Sequence, residues 1–164
     1  MKRIALVSIT LTLATFASAQ TPGIDLYEQG KHAEAARVLA TEVAASPDNK
    51  ELLTYLGLAR AYAEDPGGAL DPLKKALALD GDYAEAHFGL GLAYVKMKSL
   101  GEAIPELEKA VKLSPNHAYA NYNLGMSYNQ MSKRDLAAPH LRRFLELAPD
   151  APEAPAVKVI LSRI

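Results

Sequence analysis

The chain repeats one pattern of residues every 34 positions. Residues 84–117 and residues 118–151 align without an insertion or a deletion, and the same register extends back through residues 50–83. A partial copy occupies about residues 23–49, where the first half is short and lacks the Leu-Gly pair of the later copies. A constant period of this length is produced by stacked copies of one supersecondary unit. The recurring positions are Leu56-Gly57, Leu90-Gly91 and Leu124-Gly125, then Ala69, Ala103 and Ala137, then Gly81, Pro115 and Pro149.

Each copy reads as two helices separated by a break. The first half of the last copy, residues 118–131, contains no proline and places Tyr122 and Met126 at i, i+4 spacing. Turn-forming residues follow, and Ser99 and Glu102 in the preceding copy have the spacing of a capping box. The second half carries an apolar helical stripe, which in one copy consists of Ala103, Leu107, Ala110 and Val111.

Glycines recur in phase in the first helices, at Gly57, Gly91 and Gly125. A glycine inside a helix is about 1 kcal/mol less favourable than an alanine. Three glycines in phase therefore favour close helix packing over the alternative, a mobile helix.

Prolines lie early in the second helices, where a proline beyond the first turn either bends the helix or marks a late helix start. These prolines are Pro72, Pro105 and Pro139.

The recurring order of Leu-Gly, Tyr, Ala, an apolar residue, Ala and Pro resembles the tetratricopeptide repeat. The resemblance covers nearly all of residues 23–151, although Arg60 replaces the tyrosine in one copy and Phe144 replaces the late alanine in the last copy. It implies an all-α fold, an α-solenoid of antiparallel helix pairs with about three and a half units in residues 20–151. The units are expected at about 23–49, 50–83, 84–117 and 118–151.

The segment after the last repeat, residues 152–164, is predicted to form a capping helix. Val157, Ile160, Leu161 and Ile164 have the spacing of one helix face, and this apolar face would cover the last unit. The alternative is a helix that docks on a partner or on a second copy of the chain.

The first 19 residues have the pattern of a secretory signal peptide. Lys2 and Arg3 precede an apolar run, and Ala17-Ser18-Ala19 provides small residues before a cleavage point. The run is shorter than the ~20 residues of a spanning helix, which favours cleavage over a retained membrane anchor. The mature chain is then expected to be exported, to the periplasm first and to the extracellular medium as the alternative, with no further membrane insertion.

Composition excludes several kinds of chemistry. The chain contains no cysteine, so it has no thiol nucleophile and no disulfide. Without Lys2 and Arg3 it carries 16 basic and 19 acidic side chains, a formal charge of −3, which offers no electrostatic footprint for nucleic acid. Its four histidines lack metal-ligand spacing, and His87 is expected to be a hydrogen-bonded packing residue. We therefore expect no metal, no cofactor and no enzymatic activity.

The resemblance implies that the first helices of successive units line a concave groove for an extended peptide or a partner helix. Residues that flank the Leu-Gly pair should face this groove, and Phe88, Tyr119, Tyr122 and Met126 should form an apolar platform. The alternative is that these aromatic residues pack between units. The candidate partner-binding residues are Thr54, Leu58, Phe88, Leu92, Tyr119, Tyr122, Asn123, Met126 and Asn129.

These features predict an adaptor or assembly scaffold that binds a protein or peptide partner. The alternative is a self-associating structural subunit of a cell-envelope complex, a homo-oligomer with no peptide ligand of its own. In that case the incomplete first repeat would expose Ala35, Val38 and Leu39, which would pair with Ile160 and Ile164 of a second copy.

Overall fold

The computed structural model describes residues 21–164, and this part of the chain forms nine α-helices and no strand. The predicted signal peptide, residues 1–19, lies outside the described residues. Consecutive helices pack against each other, and the first helices of neighbouring units also touch, which confirms the predicted all-α solenoid. The helices are α1 (Pro22–Glu28), α2 (His32–Ala45), α3 (Lys50–Tyr62), α4 (Pro66–Leu79), α5 (Ala84–Lys96), α6 (Leu100–Leu113), α7 (Ala118–Gln130), α8 (Arg134–Leu147) and α9 (Ala154–Leu161).

The two helices of every unit are joined by the same tight turn. One residue of each turn has a left-handed backbone, and the next amide donates a hydrogen bond to the carbonyl five residues earlier. This arrangement is the Schellman closure of a helix end. The left-handed residues recur at the repeat period and are Gly30, Glu64, Lys98 and Ser132.

The turn explains why the predicted capping box at Ser99 and Glu102 is wrong. Ser99 is the N-cap residue of α6, but its side chain makes no capping hydrogen bond. Its backbone N–H donates to the Tyr94 carbonyl at 2.9 Å, as part of the turn. In a capping box the Glu side chain accepts that same N–H. The donor that Glu102 would need is therefore already used.

Leucine side chains of the second helices fill the space above the in-phase glycines. A methyl group added at Gly57, Gly91 or Gly125 would lie 2.4, 2.5 or 2.7 Å from the leucine Cγ it faces, so close packing is confirmed. Gly23 makes the same contact in the partial copy, where an added methyl would lie 2.5 Å from Leu39 Cγ. The first unit therefore keeps the glycine, although Pro22 stands where the later units have leucine. The facing leucines of the later units are Leu73, Leu107 and Leu141.

The prolines of the second helices lie inside helices that begin before them. α4, α6 and α8 start at Pro66, Leu100 and Arg134, which excludes the late-start alternative. A proline has no N–H, so it leaves the carbonyl four residues earlier without its helical donor. For Pro72 that carbonyl belongs to Gly68, and Arg60 Nη1 donates to it at 2.8 Å.

His87 is a buried, hydrogen-bonded histidine, as predicted. Its side chain is 5% exposed and joins α5 to α6 through an Nδ1 contact of 2.6 Å with Glu106 Oε2. Its Nε2 lies 3.1 Å from the Gly81 carbonyl, so both ring nitrogens have a partner.

The last helix, α9, covers the end of the solenoid. Val157 is fully buried, and Ile160, Leu161 and Ile164 pack on the main core cluster. This stripe is the one expected from residue spacing, and it confirms the capping helix of the predicted fold.

Candidate functional site

Some of the candidate contact residues are buried inside the solenoid. Thr54 and Leu58 are fully enclosed, and Thr54 Oγ1 donates to the Lys50 carbonyl at 2.8 Å. Phe88 is 3% exposed, and its ring centroid lies 4.4 Å from that of His117. These three side chains are packing residues and offer almost no surface to a partner. For Phe88, the alternative of packing between units describes the structure.

The N-terminal half of the first-helix face is filled by aromatic side chains. The Tyr27 ring lies 5.2 Å from that of Tyr55 and 6.1 Å from that of Tyr62, and His32 stacks on Tyr62 at 4.8 Å. Burial, followed by the neighbouring Tyr62 and then Glu85, raises the pKa of Tyr27. This end of the face is therefore largely closed by its own residues.

The C-terminal half of the same face contains a pocket of about 380 Å³, which we call the tyrosine pocket. It lies between α5 and α7, with Tyr62 contributed by the end of α3 and Glu153 by the segment before α9. The pocket contains four of the candidate residues and joins units that are distant in sequence. Its lining consists of Tyr62, Leu92, Val95, Lys96, Tyr119, Tyr122, Asn123 and Glu153.

Phe144 supports the two tyrosines of α7. It is fully buried, and its ring lies 5.0 Å from that of Tyr122 and 6.0 Å from that of Tyr119. Tyr119 and Tyr122 meet edge to face at 6.4 Å, and Tyr119 remains 39% exposed. The residue that departs from the repeat pattern in the last unit therefore forms the base of the exposed aromatic surface.

The remaining candidates of α7 lie beside the pocket or at its edge. Asn123 is 8% exposed, and its Nδ2 donates to the Tyr119 carbonyl at 2.8 Å, so its amide is engaged within the helix. Met126 is partly buried and packs on the main core. Asn129 is partly buried near the helix end, where its carbonyl accepts the Ser132 N–H at 3.0 Å. Neither Met126 nor Asn129 lines the tyrosine pocket.

Burial and acidic neighbours keep the phenols of the tyrosine pocket protonated. Burial, followed by Tyr119, Glu85 and Glu153, raises the pKa of Tyr62 to about 12. Burial and then the Glu153 carboxylate raise the pKa of Tyr119 and that of Tyr122. The pocket therefore presents neutral aromatic rings beside an acidic group.

Two charged side chains flank these rings. Lys96 Nζ lies 5.4 Å from the centre of the Tyr62 ring, within the range of a cation–π contact. Glu153 Oε2 is enclosed and has no hydrogen-bond partner within residues 21–164. A buried carboxylate oxygen without a partner is unusual, because burial removes its hydration.

Residue spacing did not identify Tyr62 and Glu153 as pocket residues. Tyr62 lies one period before Lys96, which also lines the pocket, so the repeat register relates these two residues. Glu153 lies beyond the last repeat, where no periodic position marks it. Only the packing of α9 against the end of the solenoid brings this carboxylate to the tyrosines.

A wider depression on the described chain lacks the aromatic lining of the tyrosine pocket. This depression of about 780 Å³ is lined by Leu79 and the link residues 46–50, and none of these is aromatic. Between Thr21 and Ile164, no cluster of three or more His, Asp or Glu side chains is arranged to hold a metal ion. In the same range, no helix combines the length and the apolar character required to cross a bilayer.

The surface proposed for self-association is not available as predicted. Ala35 and Leu39 are fully buried, because α1 packs on α2 and places Gly23 against Leu39. At the other end, Ile160 and Ile164 pack on the core of their own chain. The prediction that Ala35 and Leu39 are exposed for pairing between copies is therefore wrong, while Val38, Ile160 and Ile164 are partly buried.

Sequence comparison identifies the family. Two family models described as tetratricopeptide repeat match the chain, one at residues 23–84 and 56–118 and the other at residues 118–151. The chain therefore belongs to the tetratricopeptide repeat family. No curated protein matches it.

Solved structures show the same fold. The chain is similar to MamA, with 28% identity over 86% of this chain and 83% of MamA and a TM-score of 0.68. It is similar to YrrB, described as a TPR protein with an unusual peptide-binding site, with 27% identity, coverage of 84% and 71%, and a TM-score of 0.66. The likeness to a thermophilic TPR protein of Thermus thermophilus, at 22% identity, coverage of 87% and 77%, and a TM-score of 0.71, shows the fold alone.

Proposed function

We propose that this protein is an interaction scaffold that holds an extended segment or a helix of a partner protein on its concave face. The observation that carries the proposal is the tyrosine pocket, because the rest of the first-helix face is largely filled by its own side chains. Tyr119 stands 39% exposed on a rigid helix, supported by the buried Phe144. A tyrosine held in this way combines a large contact area with little loss of conformational freedom on binding.

The family and its solved members support a binding role. Tetratricopeptide repeats stack into curved solenoids whose extended concave surface is suited to contact another chain. YrrB is described as having a peptide-binding site, and the likeness to YrrB covers 84% of this chain. For the present protein, the partner-contacting residues of the proposal are Tyr119 and Tyr122, together with Tyr62. Leu92 and Asn123 line the same pocket but are only 5% and 8% exposed, so they shape its wall.

Selection of peptides tests this function. Residues 20–164 would be used to select binders from a random peptide library, and the affinity of each enriched peptide would be measured by fluorescence anisotropy. We expect Tyr119→Ala to weaken binding about tenfold or more, the usual effect of removing a central aromatic contact. Leu113→Ala is the matched control, because Leu113 is 37% exposed and lies on a second helix.

The two variants separate binding at the pocket from binding elsewhere. Equal loss in Tyr119→Ala and Leu113→Ala would contradict the pocket as the binding site. A library without enriched peptides would contradict the peptide-binding function. Circular dichroism of both variants would confirm that helicity is unchanged, since neither side chain is buried.

A second candidate, self-association, is favoured by exposed apolar side chains on the last two helices. Leu136 of α8 is 49% exposed and Val159 of α9 is 48% exposed. Sedimentation equilibrium over a hundredfold range of concentration distinguishes the two functions. A concentration-dependent mass that Val159→Lys abolishes supports self-association, and a constant monomer mass contradicts it.

We also propose that the scaffold acts after export, with cleavage behind Ala19. The support is the signal-peptide pattern of residues 1–19. Mass spectrometry of protein isolated from the periplasmic fraction of a Gram-negative expression host should find Gln20 at the N-terminus. Protein that remains in the cytosol with Met1 or Lys2 at its N-terminus would contradict export.

A further inference from the structure

The tyrosine pocket has the composition of a site for a cation. Its walls include the rings of Tyr62, Tyr119 and Tyr122, and Glu153 lies beside them. The faces of aromatic rings carry partial negative charge and attract ammonium and guanidinium groups. A carboxylate next to such rings adds a full negative charge at the same place.

Glu153 has an unused acceptor. Its Oε2 is enclosed by protein atoms and makes no hydrogen bond within the part of the chain that the structure describes. Leaving a buried charged acceptor without a partner is unfavourable, and a donor that reaches it gains a charge-assisted hydrogen bond. Because the oxygen is enclosed, a donor from outside the solenoid reaches it only when neighbouring side chains move aside.

The chain already places one cation at this site. Lys96 is a residue of the last turn of α5, and its Nζ lies over the Tyr62 ring at 5.4 Å. No ion pair between Lys96 and Glu153 forms in the described structure, so the lysine leaves the carboxylate unpaired. Lys96 lies at the mouth of the pocket but does not pair with the Glu153 carboxylate.

The surrounding groove adds to the negative potential. Glu85 raises the pKa of Tyr27, Tyr55 and Tyr62 along the first-helix face, in each case after the larger effect of burial. Glu28 and Glu51 act in the same direction on Tyr55. Glu85 also contacts His117 Nε2 at 3.1 Å, and Lys96 is a cation on the same face, so the acidic groups are partly offset. Acidic groups along a groove attract a partner of the opposite sign and orient it before contact.

We infer that the tyrosine pocket binds a cationic side chain, arginine or lysine, of the partner segment held in the groove. The cation packs on the rings of Tyr119 and Tyr122, donates to Glu153 Oε2, and displaces Lys96 from the mouth of the pocket. This inference rests on the proposed function for its biological setting, and it adds the chemical class of the ligand.

The peptide library provides the first test. Enriched peptides should contain arginine or lysine at one shared position, and replacement of that residue by citrulline, a neutral isostere of arginine, should weaken binding about tenfold, the effect of one charge-assisted hydrogen bond. Peptides that require Tyr119 but show no cationic position would overturn the inference and leave the proposed function in place.

Two variants have opposite predicted effects on binding of the arginine peptide. Glu153→Gln should weaken it about tenfold, because the neutral amide removes the negative charge. Lys96→Met should strengthen it several-fold, because it removes a like charge and a competing occupant. Glu102→Gln is the charge-matched control on the exposed face of α6 and should leave the affinity within about twofold. Equal weakening by Glu153→Gln and Glu102→Gln would show only a general charge effect and overturn the inference.

A direct titration tests the pocket without any partner peptide. Nα-acetyl-arginine amide would be added to isotopically labelled protein, with Nα-acetyl-citrulline amide as the neutral comparison. We expect resonance shifts at Tyr119, Tyr122 and Glu153 with the arginine probe, and a loss of at least half of them in Glu153→Gln. Shifts that are equal for both probes, or that avoid these residues, overturn the inference even if the library fails to yield a peptide.

Discussion

Arg60 illustrates how a departure from the repeat pattern is accommodated at a single position. It stands one period before Tyr94 and two periods before Tyr128, at the position of the repeat tyrosine. The guanidinium has a hydrogen-bonding role there, because it donates to the Gly68 carbonyl at 2.8 Å. Pro72 has removed the helical donor of that carbonyl. The arginine and the proline therefore act as a pair.

This pairing predicts non-additive stabilities. Arg60→Met should lower the free energy of unfolding by about 1 to 2 kcal/mol, the usual loss for a hydrogen bond to a charged group. In a Pro72→Ala background the same change should cost less, because residue 72 then supplies an N–H to Gly68. Urea denaturation of the four proteins of this double-mutant cycle measures the coupling. An equal cost in both backgrounds would refute the pairing.

His140 predicts a dependence of stability on pH. Burial lowers its pKa from the ordinary value of 6.5, and the nearby Glu108 carboxylate opposes part of that shift. The ring stacks on Tyr128 at 6.2 Å, and Nδ1 lies 3.2 Å from Asn121 Oδ1. The folded state therefore favours the neutral imidazole more than the unfolded state does.

The sign of the effect follows from linkage. Because the folded pKa lies below the unfolded one, the stabilisation by neutral His140 is present above pH 6.5 and is lost as the pH falls through the folded pKa. His140→Gln should remove this contribution, so the difference in unfolding free energy between wild type and variant should shrink below pH 6.5. Chemical denaturation of both proteins from about pH 5 to 8 measures how this difference in unfolding free energy changes with pH. A difference that is constant across this range would contradict the claim that His140 makes the stability depend on pH.

At the scale of the helix pair, the glycines decide how closely α5 and α6 approach. A methyl group at Gly91 would lie 2.5 Å from Leu107 Cγ and 3.3 Å from the Leu107 backbone nitrogen. The side chain can rotate away, but the backbone cannot move without separating the two helices. The same pair recurs as Gly57 with Leu73 and as Gly125 with Leu141.

Two alanine substitutions separate packing from helix propensity. Gly91→Ala should destabilise the protein by about 1 to 3 kcal/mol through overpacking. Gly101→Ala, in α6, meets nothing within 4 Å and should stabilise it by up to about 1 kcal/mol, because alanine is the better helix former. Thermal and urea unfolding of both variants gives the comparison. Stabilisation by both changes would mean that the helices can separate freely.

For the whole molecule, the solenoid should transmit a defect only to its neighbours. Val157→Ala removes two buried methyl groups from α9 and should cost about 2 kcal/mol. In a stack of repeats this loss should loosen α7 and α8 before it affects α1 and α2. Val159→Ala is the control, since Val159 lies on the same helix but is 48% exposed.

Hydrogen exchange measures how far the loss extends. Amides of α7 and α8 should exchange faster in Val157→Ala than in Val159→Ala, while those of α1 and α2 should change little. Uniform acceleration in every helix would show that the chain unfolds as one cooperative unit. That result would contradict nearest-neighbour coupling over this length.

The repeat period alone determined the class of fold and most of its internal contacts. A glycine every 34 residues, with a leucine at a constant distance after it, specifies one helix-pair geometry several times over. Local turn chemistry was less predictable, since Lys98 and Glu64 adopt the left-handed backbone that residue propensity assigns to glycine. There the Schellman hydrogen bonds of the packed helix pair override the preference of the single residue.

The tertiary structure decided which members of the groove register remain accessible. Thr54 and Phe88 share a phase with Tyr122, and Leu58 shares one with Met126. Thr54, Leu58 and Phe88 are buried and the other two are only partly buried, because burial depends on the size of the side chains that neighbouring units place beside them. The tyrosine pocket joins Tyr62 to Glu153, which are separated by more than two repeats and lie on opposite sides of the last unit in sequence. The repeating pattern predicts only the contacts that every unit has in common. A site that combines the irregular residues of several units exists only once those units are stacked.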